Sequence, residues 1–154
     1  MLFRSSGLLG STAEAVARKC PRPLFISPMK FREVRRLVLA YDGSERASRA
    51  MGAAAEFASG LGTPIAVVTV ARDQKPGERT LEEARQYFEP YSLPAEFKLL
   101  CGHANEEIIK FIHEYEADLL FIGAYGHSRI IEMVLGSTTE YVLRNSPCPV
   151  FLSR

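Results

Sequence analysis

The chain has 154 residues, enough for one domain with a substantial core. Its 19 Lys and Arg against 18 Asp and Glu speak against the one-sided charge of a nucleic-acid or membrane-surface protein. No apolar run reaches the roughly 20 residues of a membrane-spanning helix.

The charge is unevenly placed: residues 1–36 hold eight basic and two acidic side chains, net +6, and residues 37–154 hold eleven and sixteen, net −5. Cys20, Cys101 and Cys148 are odd in number and form no Cys-x-x-Cys pair. That suits a reduced cytoplasm and neither a disulfide framework nor a zinc site. His103, His113 and His127 have no metal-ligand spacing, so no metal site is expected. The first twenty residues carry Arg, Ser and a single acid, but no continuous apolar segment and no small-x-small cleavage site, which disfavours secretion.

From Arg35 onward, apolar runs alternate with helical periodicity. "RRLVLAYD" reads as a buried strand ending at Asp42 and Gly43. Ser44 is placed to cap a helix in which Ala47, Met51, Ala54, Phe57, Ala58 and Leu61 recur on one side. "TPIAVVTVA" (63–71) is a second strand, followed by a helix around 79–89 that stops at Pro90. "AEFKLLC" (95–101) is a third strand. Asn105, Glu106 and Glu107 open a helix, acids in its first turn suiting the dipole. "ADLLFIGA" (117–124) is a fourth strand, Ser137-x-x-Glu140 reads as a capping box, and "CPVFLS" (148–153) is a fifth strand.

Strands alternating with helices predict an α/β fold: a single open, doubly wound parallel sheet of five strands, Rossmann-like, order 3-2-1-4-5, with helices on both faces. Ligands in such sheets bind beyond the strand C-termini where the strand order reverses. That edge holds Asp42, Val70 and Gly123.

One internal repeat is present. Residues 9–27, "LGSTAEAVARKCPRPLFIS", align without a gap with residues 135–153, "LGSTTEYVLRNSPCPVFLS", at an offset of 126. The expected organisation is therefore a last helix and strand of an upstream copy (1–28), a linker (29–34) and a complete domain (35–154). "PLFIS" (23–27) is expected beside "PVFLS" (149–153), within one molecule or exchanged between two.

The stretch "GAYGHSRIIEMVLGST" (123–138) places glycines at 123, 126 and 136 and hydroxyls at 137 and 138, between a strand and a helix. Glycines permit positive φ and close approach of a ligand. Backbone N–H groups and a helix N-terminus attract anions, to which Ser137, Thr138 and Arg129 add donors. Taken singly, each glycine could merely turn the chain and Ser137 merely cap its helix.

Gly123-x2-Gly126-x9-Gly136-Ser137 resembles the ATP-binding pattern Gly-x2-Gly-x9-Gly-(Ser/Thr) of the universal stress protein family. The resemblance runs from about Arg35 to Arg154 and takes in "YDGS", "GHANEEI" and "SPCPVFL". It implies that Asp42 contacts a ribose, that Ala40, Val70 and Ile122 line an adenine pocket, and that Gly123, Gly126, Gly136, Ser137 and Thr138 cradle phosphates. Ala40 stands where many ATP-binding members have proline. The segment 71–94 is shorter than the family's usual cover, which implies weaker or faster-exchanging ATP.

The chain has no poised nucleophile–base set and no Walker lysine. His127, inside the loop, reads as solvent-facing. The expectation is a non-enzymatic, ATP-binding stress-response module, with or without Mg, forming a homodimer or higher oligomer through residues 149–153 and 23–27. No nucleic-acid or membrane partner is expected. The competing expectation is a nucleotide-independent scaffold using the same fifth-strand edge.

Overall fold

A computed structural model describes residues 10–28, 32–124 and 135–154. Five α-helices, α1 (Ser11–Lys19), α2 (Glu45–Leu61), α3 (Gln74–Phe88), α4 (Ala104–Glu114) and α5 (Ser137–Asn145), are found among these residues. Six strands accompany them: β1 (Leu24–Ile26), β2 (Leu37–Ala40), β3 (Ile65–Val70), β4 (Ala95–Leu100), β5 (Leu119–Gly123) and β6 (Val150–Ser153).

The sheet runs β1-β6-β5-β2-β3-β4. Strands β2 to β6 are mutually parallel, and β1 lies antiparallel on the edge of β6. The expectation of a five-stranded parallel sheet is thus corrected to six strands with one antiparallel edge. Within it, β2 to β6 keep the succession expected of the five domain strands. The extra strand forms because β6 would otherwise present unpaired N–H and C=O groups, and "LFI" (24–26) reaches them.

Central strands β2 and β5 are buried along their whole length, as expected of strands covered on both faces. Alternate side chains build two cores. One contains Val38, Ala40, Val68, Leu120 and Ile122 with Ile108 and Ile112 of α4 and Val142 and Leu143 of α5. The other contains Leu37, Leu39, Val67, Leu119 and Phe121 with the small-residue face of α2 and Leu81, Ala84 and Phe88 of α3.

Two local readings change. Phe57 and Leu61, expected on the buried side of α2, are 43% and 54% exposed. The buried line runs through Ala47, Ala50, Met51, Ala54, Ala55 and Ala58, whose small side chains set the helix close to the sheet. Phe57 lies at the margin, edge-on to Phe121 at 5.8 Å. α3 begins earlier than expected because Pro76 falls in its first turn, where the missing N–H costs nothing. Gly77 is required there: a Cβ would stand 2.6 Å from Leu99 Cδ1 and 2.7 Å from Ala71 Cβ.

Candidate functional site

The strand order reverses between β2 and β5, so the crevice expected of this topology opens at their C-terminal ends. Register brings the apolar candidates together. Ala40 is paired with Val68 of β3 on one side and Ile122 of β5 on the other. Val70, two residues beyond Val68 and half-buried, points to the same side of the sheet, and all three pack in or against one core. Buried Thr69 Oγ1 donates to Tyr41 O at 2.9 Å, and Tyr41 N donates to Val68 O at 2.9 Å. These bonds hold the ends of β2 and β3 level.

Asp42 follows β2. One of its oxygens, Oδ1, accepts the Ser44 N–H at 3.0 Å in an Asx-type turn. Gly43 takes φ +79° within it. Ser44 then caps α2, its Oγ accepting from Ala47 N at 3.1 Å. A carboxylate has two oxygens, so this local duty leaves acceptor capacity for a hydroxyl donor.

Gly123 ends β5, and its lack of a side chain has a packing cause. A Cβ there would lie 2.6 Å from Ala47 N and 2.7 Å from Arg46 C, inside the backbone of the first turn of α2. The next residue is tied to the same turn, since Arg46 Nη1 donates to Ala124 O at 3.1 Å. Gly126 and Arg129, with His127, lie outside the described residues.

The second half of the glycine pattern re-emerges at Leu135, which is fully buried. Gly136 stands at the N-cap of α5 with φ +77° and ψ 146°, a conformation close to glycine-only. Its carbonyl accepts from Glu140 N at 3.0 Å. Ser137 is the first residue of the helix and exposed; Thr138 is half-buried. The capping box read at Ser137-x-x-Glu140 does not form: Ser137 is one residue inside the helix, and Glu140 pairs with Arg144 and Arg18 instead.

Arg46 was not legible as a site-end residue, because its bond to Ala124 O joins residues 78 apart. A second arginine closes the same end. Arg154 Nε donates to Cys20 O at 3.1 Å, and Arg49 Nη1 donates to Arg154 O at 2.9 Å. Burial, aided by the nearby charge of Arg46, lowers the Arg154 pKa from its ordinary value. Tyr41, buried beside these ends, has its phenol pKa raised, chiefly by burial.

A different cleft, of about 450 Å³, opens at the opposite end of the sheet among Arg32, Arg35, Arg36, His113, Glu116 and Asp118. It is the poorer anion site. Arg35 meets Glu33 at 2.7 Å, Arg36 meets Glu116 at 2.7 Å and Arg32 meets Asp118 at 3.9 Å, so its charges are neutralised in place. Among the described residues, no three His, Cys, Asp or Glu side chains gather as a metal site, and no helix is long and apolar enough to cross a membrane.

The sequence profile of the universal stress protein family matches residues 80–154. A universal stress protein of Thermus aquaticus is 33% identical over 134 residues, 77% of this chain and 97% of that protein. The chain belongs to the universal stress protein family. Universal stress protein Slr1230 of Synechocystis is 34% identical over 152 residues, 97% of this chain but 53% of that protein. The chain thus spans about half the length of that relative. A universal stress protein solved in complex with cAMP superposes with a TM-score of 0.67 at 26% identity, covering 78% of this chain and 96% of that one.

Proposed function

We propose that this universal stress protein is an adenine-nucleotide-binding regulatory module, without enzymatic turnover as its purpose, and that ATP, with or without Mg, is its nucleotide. The observation that carries the reading is one convergence. Ala40, Val70 and Ile122 share a face at the strand-order reversal, Asp42 follows the same strand as Ala40, and Gly136 opens the N-terminus of α5. In this reading the three apolar residues take the base, Asp42 the ribose, and Gly123, Gly126, Gly136, Ser137, Thr138 and Arg129 the phosphates. The family member solved with cAMP supports the choice of an adenine nucleotide.

Residues 10–28 are, in the same reading, the last helix and strand of an upstream copy, and the β1–β6 edge is the surface through which copies associate. A cytoplasmic setting suits three cysteines that are all free thiols. The scaffold alternative draws on two observations: Gly123 is demanded by α2 whatever binds, and Asp42 already serves a turn.

The deciding experiment is mass spectrometry of small molecules released from freshly purified protein, with ATP titration calorimetry of the wild type, Asp42→Ala and Ser137→Ala/Thr138→Ala. We expect recovered adenine nucleotide or measurable binding, weakened about tenfold or more in both variants, as loss of a hydrogen bond to a charged or buried group predicts. A blank in both assays of the wild type overturns the nucleotide reading in favour of the scaffold.

A further inference from the structure

The repeat has a geometric consequence that its sequence alone does not contain. α1 and α5 begin at Ser11 and Ser137 and end at Lys19 and Asn145, each pair 126 positions apart. In the antiparallel pairing of β1 with β6, Phe25 faces Phe151, its own counterpart in the repeat. Leu24 faces Leu152, the counterpart of Ile26, and Ile26 faces Val150, the counterpart of Leu24. The helices obey the same rule. Arg18 meets Glu14 at 2.9 Å and Glu140 at 3.0 Å; Arg144 meets Glu140 at 3.1 Å and Glu14 at 2.8 Å.

Each of these contacts across the junction therefore occurs twice, about a local two-fold axis passing between Phe25 and Phe151. A contact set in which i meets j and j meets i is what two identical surfaces make when they dimerise. Here one chain makes it with itself.

We infer that the β6 edge with the adjoining face of α5 is a self-complementary docking surface for a second copy of this chain, and that α1–β1 occupies it as a substitute for that copy. Two β6 strands meeting in the same register pair Phe151 with Phe151 and Val150 with Leu152. Two α5 helices then cross-link Glu140 to Arg144 in both directions, with neither charge left over. The substitute is lightly held: within α1 and β1 Ala17 is the only fully buried apolar side chain, while Val16 and Phe25 are 47% and 55% exposed. Surface ion pairs of this kind are individually weak, so the symmetry, and not their strength, carries the argument. The inference rests on the reading of this edge as the association surface and is independent of nucleotide.

The test uses the full chain with Cys20→Ser and Cys101→Ser, and Phe151→Cys as a reporter on the axis. Light scattering gives the mass, oxidation traps the introduced thiol against its equivalent in a second copy, and amide exchange of residues 11–19 reports docking of α1. Arg18→Glu sets three carboxylates together on the substitute while leaving Glu140 and Arg144 available to a second copy. We expect a monomer without trapped dimer when Arg18 is intact, and a doubled mass with the 151–151 disulfide in Arg18→Glu. Should α1 remain protected in that variant, Arg18→Glu/Phe25→Asp displaces it from both ends. A trapped 151–151 dimer with Arg18 intact overturns the inference but leaves the association surface standing. An undocked variant that stays folded and monomeric overturns both.

Discussion

Residues 10–27 and 136–153 share a sequence pattern and form the same helix and strand, yet one copy is core and the other cladding. Val142 is fully buried, whereas its counterpart Val16 is 47% exposed. α5 buries Thr139, Val142 and Leu143, and α1 buries Ala17 alone. The difference lies in the neighbours. α5 sits in the core built with α4 and the parallel strands, while α1 meets the sheet beside its last, three-residue strand. A helical pattern is thus enough to make a helix, but the chain packed around it decides which of its side chains count.

The sharpest way to break that comparison is to place the same charge in both copies. Val142→Asp buries a carboxylate among apolar groups and is expected to cost about 4 kcal/mol or more. At about 2 to 4 °C per kcal/mol for a chain of this size, Tm should fall by roughly 10 °C. Val16→Asp should cost less than about 1 kcal/mol, as surface changes do. Equal losses in thermal unfolding would mean that α1 is as much a part of the core as α5.

A smaller effect separates the two glycines that precede these helices. Gly136 holds φ +77°, so Gly136→Ala should destabilise by about 1 to 3 kcal/mol. Gly10 holds φ −87° with nothing within 4 Å of an added Cβ. Gly10→Ala should be neutral or stabilise by up to about 1 kcal/mol through the unfolded chain. Denaturant midpoints of the two variants give the answer, and equal losses would assign both glycines the same role.

The smallest effect concerns the charges that join the copies. The Arg18 hydrogen bond, opposed by partial burial and aided by the charge of Arg144, holds the Glu14 pKa below its ordinary 4.5. A lowered carboxylate pKa contributes stability that is present above the unfolded value and lost as pH falls through the folded one. Tm measured from about pH 5 down to about pH 3 should therefore drop more steeply for the wild type than for Glu14→Gln. Parallel curves would show that the pairing contributes nothing to holding α1 against α5.

The site divides along similar lines. Ala40, Val70 and Ile122 were legible because strand periodicity alone assigns their side, and the observed register puts Ala40 beside Ile122. Gly136 was legible as a glycine needed ahead of a helix. Gly123 was legible only as a glycine: that α2 presses on it could not be read, because Ala47 is 76 positions away in the chain. The bond from Arg46 to Ala124 was hidden for the same reason. Ser137 shows the limit of a local motif, since the box Ser137-x-x-Glu140 was present in sequence but Glu140 found arginines on two helices.

By itself the sequence determined what depends on near neighbours: the alternation of strands and helices, the faces of the strands, the repeat at an offset of 126 and the glycine-bounded loop. Those features follow from periodicity and backbone sterics, which act over a few residues. The tertiary structure alone decided the sixth strand, the antiparallel seat of β1 against β6, the unequal burial of two near-identical segments and the two-fold exchange of Glu14, Arg18, Glu140 and Arg144. Each of these joins groups far apart in the chain, and only the folded packing brings them close enough for hydrogen bonds and charges to act.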